Sequence, residues 1–555
     1  MAAADRAEGS DMDASTASQA SHADETQSAP WWRGAVIYQI YPLSFMDANG
    51  DGFGDLKGCI ERLDYVASLG VDAIWLSPFY TSPLADFGYD IANHCEVDRV
   101  FGDMADAEAL IAAAHARGLK IILDLVASHT SDKHAWFLES RESRTNAKAD
   151  WYVWADPKPD GAPPNNWQSV FGGPSWEWNA RRRQYYLHNF LTAQPDLNLH
   201  NQDVQDAILE VARFWLDKGV DGFRVDAINF AMHDPLLRDN PPSHRAIDTI
   251  TRPFDMQAHV YNQSHSDIPK FLNRLRRLID RYPDRFTVAE VGGQNSLHEM
   301  KLFTGDDRHL HSAYDFSFLY ADSLTPARVA DAQSHWLGAQ GEGWPSWAFS
   351  NHDAPRHVSR WADGADTGAV ARASMMLLLS LRGNAFIYQG EELGLPQGKV
   401  AFADLKDPEA IANWPRTLGR DGARTPMPWK SAEENLGFGA GKPWLPASMN
   451  HANITVEDQE KSPGSCLNFT RQALAARRHI AALRSGDFRL RRCPDGALFF
   501  TRMWQGQEAF CLYNLTNAPI SVDAIRDARL AFSTHPAPKG DAMVLPPWSG
   551  FWYVR

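Results

Sequence analysis

The strand-like stretch Gly222-Phe223-Arg224-Val225-Asp226-Ala227 sets a guanidinium and a carboxylate two residues apart. Strand side chains alternate between faces, so Arg224 and Asp226 point one way while Phe223 and Val225 point the other. An arginine beside a carboxylate favours its ionised form and lowers its pKa, and an ionised carboxylate is a competent nucleophile at neutral pH. A buried structural ion pair is the competing reading of this stretch taken alone. Three further runs end in the same kind of residue. Asp124 and His129 lie in Asp124-Leu125-Val126-Ala127-Ser128-His129, Glu290 in Val288-Ala289-Glu290-Val291, and His352 and Asp353 in Phe349-Ser350-Asn351-His352-Asp353. One such group alone reads as an ordinary satisfied polar residue. Four runs ending this way read as one site. It contains no cysteine and no histidine-rich cluster, so it suits acid–base and nucleophilic work on a neutral substrate.

The elements that must position these groups alternate in type. Strand-like runs cover Val36–Phe45, Asp72–Phe79, Lys120–Val126, Gly222–Ala227, Arg285–Val291, Ala313–Leu319, Trp347–His352 and Ala385–Gln389. Amphipathic helical patterns fall between them at Leu56–Leu69, Ala105–Arg117, Val204–Lys218, Ile268–Arg281 and Val370–Leu381. Eight strands alternating with helices predict an α/β chain folded as a (β/α)8 TIM barrel, with functional groups at the carboxyl ends of its strands. A doubly wound open sheet is the alternative, but no GxGxxG loop follows any strand.

Residues 31–129 and 193–465 form the expected barrel, with a subdomain at about 396–450 after the eighth strand. Residues 130–192, rich in Trp, Pro, Gly and Asn, read as an inserted domain after the third strand. From Cys466 one helix, Leu467–Leu483, precedes short alternating strands at Leu498–Met503, Ala509–Leu515 and Gly550–Val554, so 466–555 reads as a C-terminal antiparallel β domain. Residues 1–30, rich in Ala, Ser, Asp and Glu, read as a disordered tail without a signal-peptide core.

A net charge of −15 argues against nucleic acid or anionic membranes as partners and favours a neutral ligand. The 20 Trp and 28 Phe fill a large core, and in loops they also suit the flat apolar faces of sugars. Five scattered cysteines without a CxxC pair point to a reducing compartment, and no stretch reaches transmembrane length. A cytoplasmic location is expected. The run Asp47-Ala48-Asn49-Gly50-Asp51-Gly52-Phe53-Gly54-Asp55 sets oxygen donors at alternate positions with glycine at the bend. It reads as a loop for a hard cation or as an acidic, glycine-rich turn, and it lacks the twelfth-position Glu of an EF-hand.

The blocks around Asp124–His129, Gly222–Asp226, Glu290 and Asn351–Asp353 resemble the four signature regions of the α-amylase family of glycoside hydrolases, and the resemblance covers nearly the whole chain from Trp31. Gln194-Pro195-Asp196-Leu197-Asn198 and Arg420-Asp421-Gly422-Ala423-Arg424-Thr425-Pro426-Met427-Pro428-Trp429 are similar to signatures of its oligo-1,6-glucosidase and α-glucosidase branch. Within that branch the likeness is to bacterial α-glucosidases, some of them good glucosyl-transfer catalysts. The resemblance implies Asp226 as nucleophile, Arg224 as its positioner, Glu290 as acid then base, and Asp353 as the grip on the sugar 2- and 3-hydroxyls. His129 and His352 would bond the same ring, Tyr89 would stack on it, and Asp86 with Arg420 would close the non-reducing end. Phe171 and Phe190 would line the pocket or simply pack.

The branch also implies structural Ca2+ (or Mg2+) on Asp47, Asn49, Asp51, the Phe53 carbonyl and Asp55, and no organic cofactor. Ala227, where the branch carries Val in α-1,6-preferring members, implies an α-1,4 preference, unless it is only a small core residue. The expected partners are a short oligosaccharide or α-glucoside and an acceptor alcohol. A sucrose isomerase or trehalose synthase on the same scaffold is the alternative, although no Arg-Leu-Asp-Arg motif follows Asp353. A non-catalytic homologue is disfavoured because all three carboxylates are present.

Overall fold

Val36–Ile40 (β1), Ala73–Leu76 (β2), Lys120–Val126 (β3), Gly222–Asp226 (β4), Phe286–Glu290 (β5), Ser312–Asp315 (β6), Trp344–Ala348 (β7) and Asn384–Tyr388 (β8) close into a barrel. Each strand pairs in parallel with the next, and β8 returns to β1 through Val36 opposite Ala385. The computed structural model describes residues 29–555 apart from 247–249, 294–295, 306–307, 338–342, 418 and 537–541. The expected tail, save its last two residues, lies outside the described residues.

Alternation sorts the side chains. Phe223 and Val225 join the core between barrel and helices, whereas Ile37, Trp75, Ile122, Val288 and Phe386 form a separate core. Trp31 and Trp32 pack against this second core, Trp32 stacking on Phe286 with ring centroids 5.6 Å apart. The entry of β4 requires glycine, because a Cβ on Gly222 would collide with the Phe286 carbonyl of β5.

Several boundaries differ from the sequence expectation. Pro42 ends the first strand early and begins a 3-10 turn, Pro42–Ser44. The expected helix Leu56–Leu69 divides at Arg62 into Leu56–Glu61 and Leu63–Leu69. The sixth strand is Ser312–Asp315 rather than Ala313–Leu319. The seventh starts at Trp344 and includes Pro345, so His352 and Asp353 stand in the loop after the strand rather than at its end. Proline ordinarily disfavours a central strand, and burial inside a closed barrel overrides that preference here.

After β3 the chain makes an excursion whose strands Trp154–Ala155, Trp176–Asn179 and Gln184–Leu187 form one small sheet. The terminal helix divides into Cys466–Arg478 and Ala481–Ser485, and a five-stranded antiparallel sheet follows. That sheet is tied to the barrel by Tyr513, whose hydroxyl donates to the Met376 carbonyl at 3.0 Å, and by Arg502, which donates to the Ser380 carbonyl at 2.7 Å.

Candidate active site

Arg224 is the hub of the site. From the middle of β4 its guanidinium donates to Asp226 Oδ1 at 2.7 Å, to Glu290 Oε1 at 2.5 Å, and to Asp124 of β3. Trp75 fixes the far side of Asp124 through an Nε1–H bond of 2.8 Å and lies under the guanidinium, 4.8 Å from its ring centroid. One cation cannot offset three buried carboxylates. Burial raises all three and repulsion between the carboxylates adds to the rise, so that, even after the pull of Arg224, Asp124 and Asp226 are raised to about 6 and Glu290 to about 7. Arg224 therefore acts on Asp226 in the expected direction, but burial outweighs it. Glu290 is raised above Asp226, which suits it to hold a proton where Asp226 has lost its own.

Asp353 is held differently. Burial raises its pKa, yet His352 at 3.1 Å, Arg424 at 2.7 Å and Arg420 at 3.4 Å together bring it well below the usual range. It stays ionised. His352 is held neutral, its pKa lowered to about 3 mainly by burial. Its Nδ1 meets the Gln39 amide at 2.7 Å and its Nε2 meets the Tyr89 hydroxyl at 2.9 Å, while the Tyr89 and His352 rings stack at 5.5 Å. Arg420 also donates to Asp86 at 2.8 Å and Asp407 at 2.9 Å, and Phe171 lies beneath it, 4.9 Å from the guanidinium. Gln194 reaches both Asp86 and His129, at 3.1 Å each.

These groups meet at a cavity of about 780 Å3. Asp226, Glu290, Asp353, Asp86 and Arg420 line it, with Tyr89, His129, Phe171, Phe190 and Ala227. Arg224 and His352 stand behind the wall, touching lining residues. Phe190 packs on His129 and Phe230, each at 5.0 Å. Ala227 follows the strand with φ +39, a left-handed conformation, and its N–H donates to Glu290 Oε2 at 3.0 Å.

Sequence reading missed Asp407, which no local pattern marks, and missed the role of Arg424 although its motif was in view. It also missed a further part of the cavity lining, where Phe230, Arg252, Phe254, Phe316, Tyr320 and Glu409 come from four separate segments.

The α-amylase catalytic-domain model matches residues 39–486. The chain belongs to the α-amylase family. Within this family it is 52% identical over 494 residues to a probable α-glucosidase of Rhizobium meliloti (strain 1021), covering 88% of this chain and 90% of that protein. It is 36% identical to an oligo-1,6-glucosidase of Heyndrickxia coagulans, covering 89% and 93%. Among solved structures, the α-glucosyl transfer enzyme XgtA matches with a TM-score of 0.90 and 47% identity, covering 95% of this chain and 100% of that one. The trehalulose synthase MutB of Pseudomonas mesoacidophila MX-45 matches with a TM-score of 0.86 and 31% identity over the same shares. This α-amylase family member is a glycoside hydrolase.

Members of the family often bind calcium, which makes the acidic loop 47–55 a place to test. Asp47 and Asp55 are 3% and 2% exposed. Burial raises Asp55, and Asp47 raises it further, while N–H bonds from Gly58, Ala48 and Asn49 pull it down. Asp47 accepts N–H bonds from Gly50 at 2.6 Å and Gly52 at 2.9 Å, and the charged neighbour that shifts Asp55 is this second carboxylate. Buried carboxylates that repel each other, in an all-oxygen donor set, fit a hard cation. The histidine and carboxylate atoms that gather within 4.8 Å lie elsewhere, at His200, His265 and Asp267.

Proposed function

We propose that the chain is a retaining, exo-acting α-glucosidase that also transfers glucose to acceptor alcohols. The observation that carries this reading is Arg224, whose two terminal nitrogens grip Asp226 and Glu290 at the wall of one cavity. Two carboxylates spanned by one guanidinium suit the short separation of a retaining pair, about 5–5.5 Å. Glu290 protonates the glycosidic oxygen as the C–O bond breaks, and Asp226 attacks the anomeric carbon to form a β-glucosyl ester. Glu290, now a carboxylate, takes a proton from water or an alcohol, which displaces Asp226 and restores the α configuration. Asp353 stays ionised to grip the 2- and 3-hydroxyls and to stabilise positive charge at the anomeric centre.

The Asp86–Arg420–Asp407 cluster supports a blind end that admits a terminal glucose. His129 bonds that ring and Tyr89 stacks on it, while His352 acts from behind the wall by holding the Tyr89 hydroxyl at 2.9 Å. Ala227 supports an α-1,4 preference. The aromatic lining from Phe230, Phe254, Phe316 and Tyr320, together with the likeness to a glucosyl transfer enzyme, supports transfer as well as hydrolysis. We further read 130–192 as an inserted domain and 466–555 as a terminal one. Asp47, Asn49, Asp51, the Phe53 carbonyl and Asp55 would hold structural Ca2+ (or Mg2+), which would neutralise the loop's charge.

The five cysteines are all unpaired, which supports a cytoplasmic location. No described helix is long and apolar enough to cross a membrane.

The test is product analysis by NMR on maltose, sucrose and isomaltose, with and without an added alcohol. First-formed α-glucose and α-glucosides are expected. First-formed β-glucose, rearranged disaccharides as the main product, or a rapid fall in the viscosity of soluble starch would overturn the reading.

A further inference from the structure

We propose that His200, His265 and Asp267 form a site for a divalent ion of the zinc class, apart from both the sugar cavity and the acidic loop. The three come from two places far apart in sequence. His200 precedes the helix Gln202–Asp217, and His265 and Asp267 lead into the helix Ile268–Ile279. One ligand atom from each lies within 4.8 Å of the others, and all three residues are half-buried, so an ion can reach them from solvent. Tetrahedral zinc, with bonds of about 2.0–2.1 Å, needs ligand atoms roughly 3.4 Å apart. Half-buried side chains reach that spacing by small rotations.

The tautomers favour binding. His200 Nε2 lies 2.8 Å from the His233 carbonyl, which can only accept, so this nitrogen carries the proton and Nδ1 keeps its lone pair. An outer bond from imidazole to a backbone carbonyl is the usual support of a metal-bound histidine. His265 keeps its lone pair at Nδ1, in a long 3.2 Å contact with the Asp267 N–H that a metal ion replaces. Lys270 holds Asp267 Oδ1 at 2.7 Å, which leaves Oδ2 for the ion. Two imidazoles and one carboxylate select zinc, cobalt, nickel or copper over calcium and magnesium.

The site also joins segments that matter elsewhere. The chain between β4 and the helix Ile268–Ile279 carries Phe230, Arg252, Phe254 and Gln263 of the cavity wall. An ion on His200 and His265 would tether the foot of that segment to the helix before β4.

The proposal is independent of the glucosidase reading, and its test is metal binding. Protein kept in excess Ca2+, to saturate the proposed site in the acidic loop, is titrated with ZnCl2 by calorimetry. One zinc per chain is expected, with a rise in Tm. His200→Ala and His265→Ala should each weaken uptake by at least tenfold, with far-UV circular dichroism confirming that the variants fold. Absence of zinc uptake in the wild type, or uptake within tenfold of wild type in either folded variant, overturns the proposal. Co2+ on the wild type gives a second readout that needs no variant. Intense visible bands of a four-coordinate, nitrogen-ligated ion support the site, and the weak spectrum of an octahedral all-oxygen ion overturns it.

Discussion

The backbone N–H of Ala227 donates to Glu290 Oε2 at 3.0 Å, tying the residue after Asp226 to the carboxyl at the end of the neighbouring strand. Ala227 makes this bond from a left-handed conformation, φ +39. The left-handed turn aims the N–H across to β5, so a substitution here reaches both carboxylates through the backbone.

That geometry sharpens the expectation for linkage. Wild type should prefer maltose to isomaltose, and Ala227→Val should move the kcat/KM ratio towards isomaltose by roughly tenfold or more, since a methylene-sized change is worth about 1–3 kcal/mol. A β-branched residue at positive φ is also strained, so the variant should lose Tm. An unmoved ratio, or isomaltose as the better wild-type substrate, would show that Ala227 is only a small residue at a strand end.

Asp226→Asn removes the proposed nucleophile and changes little in shape. Activity should fall on the order of 10^4-fold or more while the Tm stays near wild type. Retention of more than a few per cent of turnover by the purified variant would remove Asp226 from its role.

The pH profile follows from two raised carboxyls. Asp226 must be ionised and Glu290 protonated, so kcat/KM should fall below about 6 and again above about 7. The two limbs belong to the coupled cluster around Arg224 rather than to either residue alone. Stability has a matching sign. The folded pKa of Glu290 lies above its unfolded value, so its contribution is present at low pH and is lost as pH rises through about 7. Glu290→Gln, which the proposed mechanism makes inactive, should therefore compare better with wild type in Tm at pH 8 than at pH 5. Melting curves at the two pH values check this, and the reverse order would contradict it.

Calcium should stabilise without entering the chemistry. An ion at a hundredfold excess over its Kd adds about 2.7 kcal/mol. Removing divalent cations from the wild type should lower Tm by several degrees, adding back Ca2+ (or Mg2+) should restore it, and Asp51→Asn should blunt the response. A Tm indifferent to calcium would leave the loop as an acidic turn.

Much of the architecture was legible in one dimension because its causes are local. Period-two and period-3.6 patterns mark strands and helices wherever one face is buried, and eight alternations leave little besides a closed parallel barrel. The blocks ending in Asp124, Asp226, Glu290 and Asp353 were legible for the same reason, since strand ends of such a barrel share one rim. The tertiary structure decided everything that depends on distance between segments. It buried Asp226 and set Arg224 among three carboxylates rather than one, and burial above all turned the expected fall in the Asp226 pKa into a rise. It placed Asp407 against Arg420 and brought His200 beside His265, contacts across 13 and 65 residues of sequence that carry no periodic signal. It also bent Ala227 into a left-handed turn that an alanine codon does not announce. Burial and electrostatics sum over neighbours in space, and the sequence lists neighbours along the chain.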